Sequence, residues 1–261
     1  MIKSSQKSSK KAKVGKLSIL AFWLALFVIS LVIMATVAIS DENASNPLAK
    51  VKNTDLRWQY LAIGNAHVND MFIDGAFMAH DKLKIKYEMH YWETDTTGNS
   101  EQGWESVSAK GIYFPTEGEK GDLKYRLALG LEWIKDLGDQ DKGIGSDADV
   151  LSPFGGIALG FESNTTLIPL VQQFWNYSGQ DVNTTAFRLI AMQPMPRQMW
   201  LLLDAKISVD WENDNDIPAS AELQLGKSIS KNIALYAEGL VGIGSDSAYD
   251  WGTGIGLRFK Y

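Results

Sequence analysis

Ionised side chains of both signs recur at every second residue along much of this 261-residue chain. In 83–92, Lys84, Lys86, Glu88 and His90 alternate with Leu83, Ile85, Tyr87, Met89 and Tyr91. In 123–133, Lys124, Arg126 and Glu132 alternate with Leu123, Tyr125, Leu127, Leu129, Leu131 and Trp133. In 199–211, Asp204, Lys206 and Asp210 oppose Met199, Leu201, Leu203, Ile207, Val209 and Trp211. The same parity places Arg188, Glu222, Glu238, Arg258 and Lys260 with the charged set. Rows of this kind can steer or bind a charged solute, or pair with one another and close a space. They are too costly for a dry core, where an isolated charge loses its hydration.

Other chemistry is thinly represented. Gly226-Lys227-Ser228 looks like the tail of a phosphate loop, but the required earlier glycine is Ala221, so a strand-end turn explains it better. The three histidines, His67, His80 and His90, lie in no His-Glu-x-x-His frame and beside no recognisable nucleophile motif. Asp136, Asp139, Asp141, Asp147 and Asp149 crowd one loop, and Glu212, Asp214 and Asp216 another. Counted from Asp139 the twelfth residue is Val150, not the bidentate Glu of a calcium loop, so solvated acidic loops are expected. Cysteine is absent, which excludes thiol catalysis, disulfides and Cys-ligated metals. No catalytic residue, metal site or cofactor is expected.

The elements that position the charges are strands, because successive side chains of a strand point to opposite faces. Alternation of varying clarity marks 55–63, 70–79, 83–92, 104–115, 123–133, 150–161, 166–177, 184–193, 199–211, 218–227, 232–243 and 250–261. Their length suits a tilted crossing of a bilayer. Short joints at 80–82, 116–121, 162–165, 194–197 and 228–231 alternate with others that include the long polar stretches 93–103 and 135–149. The pattern predicts an all-β fold, an antiparallel transmembrane β-barrel of about 12 strands over residues 55–261. The 55–79 region is the weakest, and ten strands is the alternative.

Both ends agree with export. Residues 1–16 carry six lysines and no acid, and an apolar run from Leu17 to Ile39 follows. This predicts a signal peptide over 1–40 with cleavage before Asp41. The run is long enough that an uncleaved N-terminal membrane helix is the alternative. Residues 41–54 are expected as a short periplasmic segment. At the other end Trp251, Thr253, Ile255, Leu257, Phe259 and Tyr261 face Gly252, Gly254, Gly256, Arg258 and Lys260. A sandwich strand also alternates, but a closing barrel strand ending on an aromatic fits better.

Composition narrows the partners. Without the six N-terminal lysines, 19 basic residues remain against 31 acidic ones, a formal charge of −12 for residues 41–261. Nucleic acid is excluded as a partner, because phosphate binding needs clustered cations. Nine Trp and nine Tyr would serve at bilayer interfaces.

Residues 150–261 resemble small Gram-negative outer-membrane barrels of the uncharacterised, transporter-like type. The resemblance rests on Pro153-Phe154-Gly155-Gly156, Pro169-Leu170-Val171-Gln172-Gln173, Glu222-Leu223-Gln224-Leu225-Gly226-Lys227, Trp251 and Gly256-Leu257-Arg258-Phe259. It implies a barrel and an outer-membrane address, without a substrate. The expected function is passive passage of small polar or amphipathic solutes through a lumen. Lys84, Lys86, Glu88, Lys124, Arg126, Glu132, Arg188, Asp204, Lys206, Glu222, Glu238 and Arg258 would line it and set solute preference. Lys84, Lys86, Lys124 and Arg126 would form one cationic strip. The alternative is a non-transporting structural barrel, or an outer-membrane enzyme acting on lipid. Expected partners are outer-membrane lipid and the barrel-assembly machinery, which would engage the C-terminal strand ending at Tyr261.

Overall fold

The computed structural model describes residues 43–261. The expected signal segment and its cleavage site lie outside the described residues.

The strands are β1 (Asn53–Ile63), β2 (Ala66–His80), β3 (Leu83–Thr94), β4 (Glu101–Tyr113), β5 (Glu117–Lys120), β6 (Leu123–Asp136) and β7 (Ala148–Gly160). They continue as β8 (Thr166–Gly179), β9 (Asn183–Met195), β10 (Met199–Asp210), β11 (Ala219–Ser228), β12 (Ile233–Ile243) and β13 (Trp251–Lys260). Each hairpin neighbour pairs antiparallel, β1 also pairs with β13, and a β4–β6 pairing completes the ring. The fold is all-β, a closed antiparallel barrel. β4 and β5 are two parts of one stave, parted at Phe114–Thr116, and both pair with β6. Counted as staves, the barrel has twelve.

Two sequence expectations are sharpened. The 55–79 region forms two full strands joined by a tight turn at Gly64, whose φ of 61° suits a residue without a Cβ. Ten strands is thereby excluded. The joint expected at 116–121 is mostly strand, since Glu117 to Lys120 pair with Arg126 to Leu123. The turn itself shrinks to Gly121 and Asp122.

The apolar parity faces outward. Leu56, Ile73, Leu129, Leu131, Phe187, Leu189, Ile207, Leu225, Leu235 and Ile255 are all exposed, on eight different strands. Leu129 is 50% exposed in mid-strand. A soluble protein rarely exposes a contiguous apolar patch above a few hundred Å². A belt of this kind around a closed barrel is solvated by lipid instead, and the sandwich alternative falls. Trp104, Trp133, Trp175, Tyr177, Trp211 and Trp251 edge the belt at the long-loop end, and Tyr113 and Phe259 edge it at the short-turn end. Such girdles anchor a barrel at the two interfaces.

Inside, large rings lie over glycines of the neighbouring strand. Phe154 faces Gly130, Trp200 faces Gly226 and Tyr236 faces Gly256 across their pairs. A Cβ added at Gly226 would meet the indole of Trp200 at 2.0 Å, so the glycine is what lets the ring lie flat on the wall. These rings, with Ile112, Phe114, Ala128, Ile168, Ile190 and Leu202, make a small apolar core at the short-turn end.

Residues 43–50, within the 41–54 segment expected to be periplasmic, are seated in that core's mouth. Leu48 is 1% exposed and packs within the cluster.

Candidate functional site

Alternation delivers one side chain in two to the interior, and the strand pairs bring these into layers. Near the short-turn end β1, β2, β10, β11, β12 and β13 supply a connected network. Asp55 accepts from Arg258 Nε at 2.9 Å and Nη2 at 2.6 Å, from Tyr236 Oη at 2.8 Å, and from Asn53 Nδ2 at 2.8 Å. Arg57 Nη2 donates to Glu238 at 2.9 Å and lies 3.8 Å from Glu222, while Nη1 is 3.7 Å from Asp74. Gln59 donates to Glu238 at 2.7 Å, and Gln224 to its other oxygen at 3.3 Å. Trp200 Nε1 donates to Gln224 at 3.0 Å.

A second set lies further toward the loops. Lys110 is 3.1 Å from Glu132, which also accepts from Gln172 at 2.7 Å. Arg188 and Asp204 form a two-pronged hydrogen-bonded pair, Nε to Oδ1 at 2.8 Å. Lys206 Nζ stands 5.6 Å from the centre of the Phe174 ring. Here the wall reaches water: the Arg188 side chain is 37% exposed and Lys206 is exposed.

A cavity of about 110 Å³ lies between the two sets, with Arg57, Asp74, Lys86, Glu88, Asp204 and Glu222 in its lining. A water molecule takes roughly 30 Å³ in the liquid, so it holds a few waters, while drug-sized ligand pockets need roughly 300 Å³ or more.

The twelve residues singled out in the sequence are thus dispersed. Arg188, Asp204 and Lys206 border the wet outer half, Glu132 is buried against Lys110 and Gln172, and Glu222, Glu238 and Arg258 belong to the inner network. Lys86 is 3.4 Å from Glu88, whose other oxygen is 3.8 Å from His90 Nε2. The expected cationic strip is not one surface. Lys84 is buried and donates to Pro47 O at 3.1 Å and Ala49 O at 2.6 Å. Arg126 donates to Glu117 at 2.7 Å and to Leu48 O at 3.0 Å. The Lys124 side chain is 76% exposed at the rim, 3.4 Å from Glu119. Folding of 43–50 into the mouth and of β5 onto β6 explains the difference: both supply partners that strand parity alone cannot reveal.

Sequence reading missed Asp55, Arg57, Asp74 and Lys110. Their signal was present as parity, since Leu56, Trp58 and Tyr60 flank the polar positions Asp55, Arg57 and Gln59. Apolar inward residues such as Phe72 and Ala76 blurred it in β2.

The remaining chemical candidates are tied into structure. His90 Nδ1 is 2.9 Å from Asp70, and its ring stacks on Phe72 at 4.5 Å. His67 pairs with Asp95 at 3.1 Å, and His80 sits at a turn, accepting from Lys82 N at 3.4 Å. No hydroxyl is hydrogen-bonded to any of these rings among the described residues. In the acidic loop Asp136 gathers the amides of Gly138, Ser146 and Asp147 at 2.5–2.8 Å. Among the described residues no group of three metal-ligating side chains is placed to hold a metal ion. Asp246, in the β12–β13 loop, is held below the ordinary carboxylate range by Ser245 Oγ and the Ile217 amide.

No family model matches the chain, and no curated relative matches its sequence. Solved structures do match in shape. The NanC porin superposes with a TM-score of 0.62 at 10% identity, covering 80% of this chain and 100% of that one. An outer membrane channel from Pseudomonas putida F1 gives 0.60 at 8% identity, covering 86% and 100%. The KdgM porin gives 0.52 at 8% identity, covering 80% and 99%. What this chain shares with these porins and channels is the fold, that of an outer-membrane β-barrel.

Proposed function

We propose that the protein is a passive outer-membrane channel for small polar or amphipathic solutes. The observation that carries this reading is the inward wall at Arg188 and Lys206, exposed beside the Asp204 carboxylate. A barrel serving only as a scaffold gains nothing from holding a cation such as Lys206 in water inside its wall. Shape likeness to porins and channels supports the same reading. Charges of both signs at close quarters set a local field that decides which solute enters, as in other selective pores. In this reading the lining residues act as a filter rather than as catalysts, and the long loops face outward from the cell. The final strand, which seals against β1, is the segment that barrel-assembly machinery would engage.

A second reading, a structural barrel that transports nothing, draws on the 110 Å³ cavity and the dense pairing around Arg57. Planar-bilayer recording of the refolded protein separates the two. Discrete conductance steps are expected of a channel; a silent bilayer with correctly folded protein sinks it.

A further inference from the structure

We propose that residues 43–50 are a resident plug that closes the short-turn end of the lumen and withdraws when solute passes. This rests on the channel reading.

The segment carries local hydrogen bonds of its own besides those that dock it. Asn43 Oδ1 accepts from Ser45 N at 2.9 Å and Asn46 Oδ1 from Leu48 N at 2.8 Å, two side-chain turns that compact it. Backbone bonds from Asn46 N to Asn43 O and from Ala49 N to Asn46 O reinforce them. A segment held compact by its own bonds can leave and return as a unit, with less ordering to repeat at each closure.

Docking uses Leu48, with Ala49 also buried, and a ring of polar contacts. Leu48 enters the cluster of Phe114, Ile112 and Trp200. Its carbonyl and those of Pro47 and Ala49 accept from Arg126 and Lys84. Ser45 Oγ accepts from Arg258 Nη1 at 2.6 Å and donates to Gln224 at 3.0 Å. Lys50 reaches Glu117 at the rim, 2.7 Å away.

This balance suits a reversible closure. Each polar contact, when broken at a wet mouth, is replaced by water, so its net hold is small. Leu48 is the main anchor, because its burial has no such replacement. The plug also explains why the interior beside it is reduced to a water-sized cavity, with Ser45 and Pro47 in its lining. On withdrawal, Lys84 and Arg126 exchange backbone carbonyls for the lumen, where oxygen atoms of a passing solute can take the vacated positions.

The test is bilayer recording on three forms of the refolded protein: unmodified, Leu48→Asp, and Ser45→Cys/Gln224→Cys before and after a short bis-thiol crosslinker. The chain has no cysteine of its own, so the crosslink is confined to the plug and its seat. Leu48→Asp is expected to raise the time-averaged conductance roughly tenfold, the change that about 1.4 kcal/mol of lost anchoring produces. Crosslinking should hold the channel at its lowest level in the same folded protein that conducted beforehand, which removes misfolding as an explanation. Equal conductance in the unmodified, Leu48→Asp and crosslinked forms overturns the plug and leaves the channel standing. Silence in all of them overturns the channel reading, and the plug with it.

Discussion

Asp55 and Arg258 face each other directly across the seam where the first and last strands of the barrel meet, with Nη2 2.6 Å from Oδ2. Both side chains are buried, and the two residues are 203 positions apart. The ion pair therefore sits within the β1–β13 pairing that closes the barrel. Tyr236 and Asn53 satisfy the remaining carboxylate lone pairs. Breaking a buried pair by removing one partner strands the other charge, at a cost of about 3–5 kcal/mol. Asp55→Ala should lose stability of that order in urea-dependent folding into vesicles. Asp55→Asn/Arg258→Gln should cost less than its two single variants together, because no lone charge is left. A loss below about 1 kcal/mol for Asp55→Ala would show that the seam does not depend on the pair.

The two faces of β6 make a second case. Leu129 points to lipid, and Leu129→Arg should cost about 2–4 kcal/mol, the range for a cation at mid-bilayer. Sequence parity made Ala128 the natural inward control, but Ala128 is 0% exposed beneath the apolar core, so a large residue has no room there. Lys206 is the better comparison. Lys206→Gln should change stability by no more than about 0.5 kcal/mol, as expected of a solvated site. Equal losses at the two positions would mean that the belt is not in lipid.

Orientation can be read by labelling. Lys142 and Asp122 are both exposed and lie at opposite ends of the β6 stave. They are preferable to the adjacent glycines, because Gly143 and Gly121 have φ of 68° and 58° and resist any side chain. Lys142→Cys should react with an impermeant maleimide on whole cells, and Asp122→Cys should react only after the outer membrane is broken. The reverse pattern would invert the barrel.

Ion preference distinguishes the wet lumen from the rim. Field at a constriction is set by charges within about 8–10 Å, more than by the total of −12. Lys110→Gln/Lys206→Gln should move the reversal potential in a salt gradient toward cation preference. Lys124→Gln, at the solvated rim beside Glu119, should leave it unchanged. A shift from Lys124 and none from the other pair would relocate the conduction path.

The sequence by itself determined the barrel. Period-2 alternation requires strands, and charges on one parity with Leu, Ile and Trp on the other require water within and lipid without. That inference needs no tertiary information, because the side-chain period of a strand is the same wherever it sits. Even so it left the first hairpin in doubt, since Phe72 and Ala76 fill the polar parity of β2 with apolar atoms. Their reason is local packing, with Phe72 lying under the Arg57 guanidinium at 4.6 Å.

Which charges meet was decided only by the tertiary structure. Parity says that Arg258 and Asp55 point inward, but the closure that pairs β13 with β1 makes them partners. The same holds for Arg188 with Asp204 and for Lys110 with Glu132, whose pairing follows from register and stagger between strands. Least legible of all was the seating of Leu48. Residues 43–50 carry no periodic signal, and their place in the mouth depends on a cleft that exists only once twelve staves have closed around it.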